Sequence, residues 1–186
     1  MIVVDSTVAT QVAMGSTAIP VVMALVVDPV GSGLVKSLPR PGGLVTGLSM
    51  MTTELNAKRL ELLKEVVPQL TRVAVLWNLD HPFHSKVVED LKLIAPSLSI
   101  DLTIAGVRTP DQFGVAFLHV SRTQAQALYV VEDPIFFAHR STLLNLAATA
   151  QLPTIHELRR FPEQGALISY GPDLLDLFYR AASYVD

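Results

Sequence analysis

Short apolar segments of strand length alternate with segments of helical periodicity along almost the entire 186-residue chain. The predicted strands cover residues 2–5, 21–27, 45–48, 73–77, 100–105, 127–131, 153–156 and 167–170. The predicted helices cover residues 8–15, 52–67, 83–94, 110–121, 136–150 and 172–185. Alternation of this kind is typical of βαβ units, in which parallel strands are joined by right-handed crossovers. The sequence therefore predicts an α/β fold.

The stretch from Val21 to Ser49 is the most informative part of this pattern. Its first seven residues are apolar and mostly β-branched, which is typical of a strand buried on both faces. The strand ends at Asp28-Pro29, because Pro29 cannot donate to a β-ladder. We predict a sharp turn and a short helix next, before a strand begins at Val45. Asp28 then lies at the carboxyl end of a strand, where open α/β sheets bind ligands.

The pattern divides into two lobes. We predict a partial first lobe of three strands over residues 1–49 and a second lobe over residues 50–168. Thr52 or Thr53 is suited to capping the first helix of the second lobe. In that helix, the predicted buried stripe consists of Leu55, Leu62, Leu63, Val66 and Val67. We expect the strand at residues 153–156 to lie at a sheet edge.

Composition excludes several classes of function. The 14 lysines and arginines are scattered, so a nucleic-acid-binding surface is not expected. The chain has no cysteine, which removes disulfide and thiolate chemistry. Its longest apolar runs are of strand length and are interrupted by proline or charge, so no transmembrane helix is predicted. The residues after Met1 show neither the basic region nor the cleavage site of a signal peptide.

Several blocks carry a family resemblance. They are DPVGSGLVKSLPRPGGLVTGLS from Asp28, ELNAKRLELLKEVVP from Glu54, RVAVLWN from Arg72, Asp133-Pro134, and SYGP from Ser169. In this order they resemble the substrate-binding proteins of ABC transporters, of the periplasmic-binding-protein type I class. The similar subgroup binds aromatic amino acids. The resemblance implies two doubly wound parallel-sheet lobes, a ligand between them, a hinge near residue 169, and a final helix returning to the first lobe.

The resemblance also implies partners and a location. Family members are exported and work with a membrane permease, so a periplasmic or extracellular location is expected. They are also longer than this chain, beginning with a signal and two further strand–helix units, and continuing past the equivalent of Asp186. We therefore expect a fragment whose first lobe is incomplete. The first strand would then have an unpaired edge, which predicts a homodimer that covers it.

Polar residues follow several predicted strands and are the candidate ligand-binding residues. They are Ser6, Thr7, Asp28, Asn78, Glu132, Asp133 and Tyr170. A ligand ammonium would favour Asp28, Glu132 or Asp133, whereas a ligand carboxylate would favour Ser6, Thr7 and backbone amides. An aromatic ligand would favour Tyr170, Phe136 or Trp77.

Each candidate also has a purely structural interpretation. Ser6, Thr7 and Asp28 could only cap helices, and Asn78 could only end its strand. Glu132 and Asp133 could form a solvated turn, with at most one of them contacting a ligand. Trp77 is expected in the core.

No catalytic, metal or cofactor motif accompanies these residues. The five histidines are expected to be solvated or hydrogen-bonded, and the chain lacks a G-x-S-x-G, a G-x-G-x-x-G and a P-loop sequence. The sequence thus predicts a solute-binding component of an ABC importer, binding an amino acid or related metabolite without a cofactor. The alternatives are a small-molecule sensory domain and an enzyme, for example a hydrolase or transferase, on the same fold.

Overall fold

The structure is a computed structural model that describes residues 1–16, 18–50 and 55–185. The described residues contain eight strands and seven α-helices, and every strand pairing is parallel. The predicted α/β fold with two parallel sheets is therefore confirmed. The chain divides into two compact units, one of residues 1–53 with 172–186 and the other of residues 54–171.

The first unit contains a three-stranded sheet of order β1-β2-β3. Its elements are β1 (Ile2–Val4), α1 (Thr7–Ser16), β2 (Val21–Val26), β3 (Val45–Ser49) and α7 (Leu174–Ala182). The central strand β2 is buried because it has a cluster of apolar side chains on each face. Val21 and Met23 belong to one cluster, and Val22 and Ala24 pack with Leu177 of α7 in the other.

The prediction of a short helix after Asp28 is wrong. Residues 28–33 form hydrogen-bonded turns, with Ser32 N donating to Asp28 O and Leu34 N donating to Pro29 O. Leu34 and Val35, which suggested a helix, are both buried in the core of this unit. Burial of this apolar pair is thus achieved from a loop, without helical hydrogen bonding.

The second unit contains a five-stranded sheet of order β5-β4-β6-β7-β8. Its strands are β4 (Arg72–Asn78), β5 (Asp101–Val107), β6 (Ala127–Val130), β7 (Thr154–His156) and β8 (Ile168–Ser169). Its α-helices are α2 (Asn56–Val66), α3 (His84–Ile94), α4 (Phe113–Arg122), α5 (Pro134–Ala138) and α6 (Arg140–Thr149). Short 3-10 helices cover Ala95–Leu98, Pro110–Gln112 and Pro162–Gln164.

Both faces of this sheet are covered. Along β4, Ala74 and Leu76 belong to one apolar cluster, whereas Val73 and Val75 belong to the other. This alternation follows from the two-residue period of a strand. It accounts for the continuously apolar sequence that predicted a strand buried on both faces.

Three details of the second unit differ from the prediction. The strand β7 lies inside the sheet, between β6 and β8, so its predicted edge position is wrong. The helix predicted over residues 136–150 is two helices, which meet at His139. His139 has φ −109° and ψ 25°, outside the α-helical region, and this breaks the helix.

The predicted buried stripe of α2 is also displaced. The buried residues are Asn56, Arg59, Leu60 and Leu63, which share a face at helical spacing, whereas Val66 is exposed. The structure describes this helix from Asn56, after Leu55 at the N-cap position. The predicted caps Thr52 and Thr53 lie outside the described residues. Among the described residues, no helix combines the length and apolar character needed to cross a bilayer.

Candidate functional site

The candidate site in the second unit lies at the carboxyl edge of the five-stranded sheet. Because all five strands are parallel, their carboxyl ends share one edge. Asn78 ends β4, Glu132 and Asp133 follow β6, Glu157 follows β7, and Tyr170 follows β8. Except for Glu157, these residues were predicted from the sequence.

Asn78 and Asp133 are brought together across this edge. The Nδ2 atom of Asn78 donates to Oδ2 of Asp133 over 3.1 Å, and Oδ1 of Asn78 accepts from Asp80 N over 3.0 Å. Asp133 is also the N-cap of α5, where its Oδ1 accepts from Ile135 N over 2.8 Å. Both residues therefore have structural partners, and the solvated turn considered for Asp133 does not occur, since this side chain is buried.

His84 is buried behind these residues and is fully hydrogen-bonded. Its Nδ1 accepts from Asn78 N over 3.3 Å, so its Nε2 carries the hydrogen and donates to Glu132 O over 3.1 Å. Burial is the main reason that its pKa falls to about 4, which leaves the ring neutral at pH 7. The ring stacks on His81 with centroids 3.9 Å apart.

His81, His84 and Asp133 also form a group whose ligand atoms lie within 4.8 Å of one another. A metal ion there would have to displace a hydrogen bond of His84, because both ring nitrogens are engaged. The arrangement thus fits the structural role expected for histidines better than a metal centre.

A buried ion pair lies beside this group and was missed from the sequence. Nη1 of Arg59 lies 3.3 Å from Oε1 of Glu157, and each side chain is at most 8% exposed. Arg59 also donates to Asn56 Oδ1 over 3.0 Å, to Tyr129 OH over 3.3 Å and to Tyr170 O over 2.6 Å. The network joins α2 to the ends of three strands.

The hydroxyl of Tyr129 completes the network by donating to Asn56 Oδ1 over 2.8 Å. Burial raises the pKa of Tyr129 to about 12, so this phenol stays protonated. Burial raises the pKa of Glu157 as well, although Arg59 opposes the rise. This balance is typical of a buried carboxylate whose single countercharge only partly offsets its desolvation.

Glu132 occupies the most unusual environment. Both carboxylate oxygens are buried, and neither makes a hydrogen bond of normal geometry to the described residues. Burial raises its pKa well above the ordinary glutamate value, Glu157 and Asp133 raise it further, and Asp133 N and Arg59 oppose the rise. Within the described residues, Asp133 N is thus the only hydrogen-bonding group that opposes the rise, and it lies outside normal hydrogen-bond geometry, so the burial of this carboxylate is costly for the fold.

The candidates of the first unit have local roles. Ser6 Oγ accepts from Ala9 N over 3.2 Å, so the predicted cap of α1 is confirmed for Ser6. Thr7 is the first residue of that helix and is buried. Asp28 follows β2, and its Oδ1 accepts from Gly31 N over 2.8 Å, so it stabilises a turn instead of the predicted helix. Ligand contacts of these residues stay predictions.

The three aromatic candidates have different surroundings. Phe136 is fully buried in the core, so it cannot present its ring to a ligand. Trp77 is half-buried and packs against the apolar cluster that contains Val73 and Val75. The prediction that it lies in the core is therefore met only in part. The Tyr170 side chain is exposed, which agrees with the predicted lining role but does not test it.

Comparisons with known proteins agree with this architecture. A family model described as "ABC transporter substrate binding protein" matches residues 1–186. The chain is similar to a curated tyrosine-binding protein from Clostridioides difficile, with 30% identity over 177 residues. The alignment covers 95% of this chain and 50% of the relative, so the chain spans about half the length of that protein.

Two solved structures are similar as well. One is an ABC domain in complex with L-Trp from Streptococcus pneumoniae, with 24% identity and a TM-score of 0.84. The alignment covers 100% of this chain and 62% of the chain of that structure. The other is the ligand-free, open structure of a substrate-binding protein with adhesive properties from Clostridium difficile. It has 25% identity to this chain and a TM-score of 0.72. The alignment covers 98% of this chain and 61% of the chain of that structure. The first of these likenesses concerns the fold alone.

Proposed function

Because the chain belongs to the ABC transporter substrate-binding protein family, we propose that it is the solute-binding component of an ABC importer. The ligand is a small molecule, and an aromatic amino acid is the class proposed. The similarity to the tyrosine-binding protein supports this class. The observation that carries the proposal is the cluster of polar and ionisable side chains at the carboxyl edge of the five-stranded sheet.

The cluster has the chemistry of a binding site. Parallel α/β sheets bind ligands at their carboxyl edge, and here this edge combines an exposed tyrosine with buried acids and an arginine. Asn78, Glu132, Asp133 and Tyr170 are proposed as the ligand-binding residues of the second unit. Ser6, Thr7 and Asp28 are proposed for the first unit, because they follow the ends of β1 and β2.

The proposed partners follow from the family. A permease in the membrane receives the ligand, and the proposed location is periplasmic or extracellular. The lobe boundaries near residues 49 and 168 are part of this proposal.

A homodimer is proposed through the first unit. Among the described residues, β1 pairs only with β2, and Val3 of β1 and Val8 and Val12 of the following helix α1 are all more than half exposed. Open strand edges flanked by apolar surface favour pairing with another strand. Light scattering after size-exclusion chromatography of the 186-residue chain should give twice the monomer mass, and a monomer at all concentrations would contradict the proposal.

Isothermal titration of the purified chain against the twenty amino acids tests the proposed function. We expect heat from an aromatic amino acid, and mass spectrometry should recover that ligand unchanged. The absence of binding across the panel would contradict the proposed ligand class. Chemical conversion of a ligand would instead support the enzyme considered above.

A further inference from the structure

The buried carboxylate of Glu132 is poorly stabilised by its surroundings. Its carboxylate oxygens are buried and lack a normal hydrogen bond within the described part of the chain. Asp133, by contrast, accepts hydrogen bonds from Ile135 N and Asn78 Nδ2. Of the two adjacent acids after β6, only Glu132 therefore has both oxygens without a hydrogen bond of normal geometry to the described residues.

The charges around Glu132 do not neutralise it. Glu157, at the end of β7, and Asp133 repel its negative charge, and Arg59 of α2 attracts it. Arg59 is already paired with Glu157 at 3.3 Å. If all three acids were ionised, three carboxylates would face one guanidinium and leave two negative charges uncompensated.

Within the described part of the chain, the remaining titratable neighbours named below supply no positive charge at pH 7. His84 of α3 donates to Glu132 O, but burial lowers its pKa to about 4 and keeps it neutral. Tyr129 of β6, with a pKa raised by burial to about 12, is neutral as well. Glu132 therefore needs a positive charge close to its own carboxylate, which a proton or an ammonium group can provide, whereas hydrogen bonds stabilise the charge on Asp133.

We propose that Glu132 is the cation subsite of the ligand site, holding a proton in the empty protein and exchanging it for the primary ammonium of the ligand. This inference rests on the proposed function. In the exchange, the Glu132 O–H bond breaks, the proton passes to solvent, and the carboxylate accepts hydrogen bonds from the ammonium. Because both oxygens are buried, the residues covering them must move aside as the ligand enters.

The exchange predicts a pH dependence of affinity. While Glu132 is protonated in the empty protein, binding an ammonium releases up to about one proton, so affinity increases about tenfold per pH unit. The increase ends once Glu132 is ionised before binding. Affinity falls again at alkaline pH, where the ligand amine loses its charge.

The test is isothermal titration with L-tyrosine and with 3-(4-hydroxyphenyl)propionate, which lacks the amine, in two buffers of different ionisation enthalpy. L-Tyrosine should bind about 10- to 100-fold more tightly, as expected for a buried hydrogen bond between charged groups. Its heat should differ between the buffers, because a proton is released. The analogue should show little buffer dependence.

Glu132→Gln should remove both the preference for the amine and the proton release. Glu89→Gln, the same change at an exposed position of α3, should retain both. Circular dichroism and Trp77 fluorescence verify that the variants fold. The number of protons that the wild-type protein releases on binding is measured without any variant, so it tests the inference even if a variant fails to fold. Equal binding of both compounds, or tyrosine binding without proton release, would overturn the inference alone. Failure of L-tyrosine, L-phenylalanine and L-tryptophan all to bind would overturn the proposed aromatic ligand and the inference with it.

Discussion

Replacing Arg59 by methionine should destabilise the second unit strongly. The substitution keeps an unbranched side chain but removes the charge and the hydrogen bonds to Asn56, Tyr129 and Tyr170. It also leaves Glu157 buried without its countercharge. Breaking a buried ion pair from one side typically reduces the free energy of unfolding by about 3–5 kcal/mol.

Two comparisons isolate the ion pair from the loss of side-chain packing. Arg159→Met changes an arginine whose pair with Glu163 is 3.8 Å long and largely exposed, so it should reduce stability by at most about 1 kcal/mol. Arg59→Met combined with Glu157→Gln removes both charges of the buried pair. The double variant should recover about 2 kcal/mol of the loss, because no buried carboxylate is left uncompensated.

The reduction in the free energy of unfolding caused by Arg59→Met should depend on pH. In Arg59→Met, burial still raises the pKa of Glu157, and the opposing effect of Arg59 is gone. The folded state then binds a proton more tightly than the unfolded state does. The stability deficit should therefore be smallest below the ordinary glutamate pKa of about 4.3 and grow as pH rises through the elevated folded value.

Urea unfolding followed by fluorescence measures these effects, because Trp77 is the single tryptophan and lies in β4 of the second unit. A loss of about 4 kcal/mol lowers the urea midpoint by roughly 2 M at a slope of about 2 kcal/mol/M. An Arg59→Met midpoint within about 0.5 M of Arg159→Met would refute the reasoning on the buried pair.

Two further predictions concern single positions. Gly47 has φ +134°, and a Cβ there would lie 2.0 Å from Met23 O, so Gly47→Ala should lower the free energy of unfolding by more than about 2 kcal/mol. Gly43→Ala, with open space and no such φ, should change it by under about 1 kcal/mol, and equal thermal shifts for the two would contradict this. For His84, the pKa of about 4 in the folded state lies below the ordinary histidine value of about 6.5, so its neutral ring contributes fully to stability above pH 6.5, and this contribution is lost as pH falls toward 4. His84→Gln should remove about 3 kcal/mol of the change in the free energy of unfolding over this pH range, measured by urea unfolding, and an unchanged pH profile would contradict the assigned burial.

The fold was largely predictable because it depends on local periodicity. Continuous apolar runs identified strands such as β4, whose residues alternate between two cores. The position of β7 was not predictable, since strand order depends on pairings between distant segments. The turn after Asp28 was mistaken for a helix because Leu34 and Val35 have the same apolar sequence in either conformation.

The candidate site was predictable where polar residues follow strands directly, as Asn78 and Asp133 do. Arg59 and Glu157 were missed because each resembles an ordinary surface charge on its own segment. Their pairing depends on α2 covering the sheet beside the end of β7, a tertiary contact that neither local sequence specifies. One signal was present: the apolar positions of α2 gave an incomplete stripe, and a charged residue completes its buried face.

The chain is proposed to bind an aromatic amino acid. Isothermal titration of the wild-type chain with L-tyrosine, L-phenylalanine and L-tryptophan tests it most directly, with L-alanine as the control. We expect saturable binding of one equivalent of at least one aromatic amino acid, and much weaker binding of L-alanine. The absence of saturable heat from all three, in a chain shown to be folded, would contradict it.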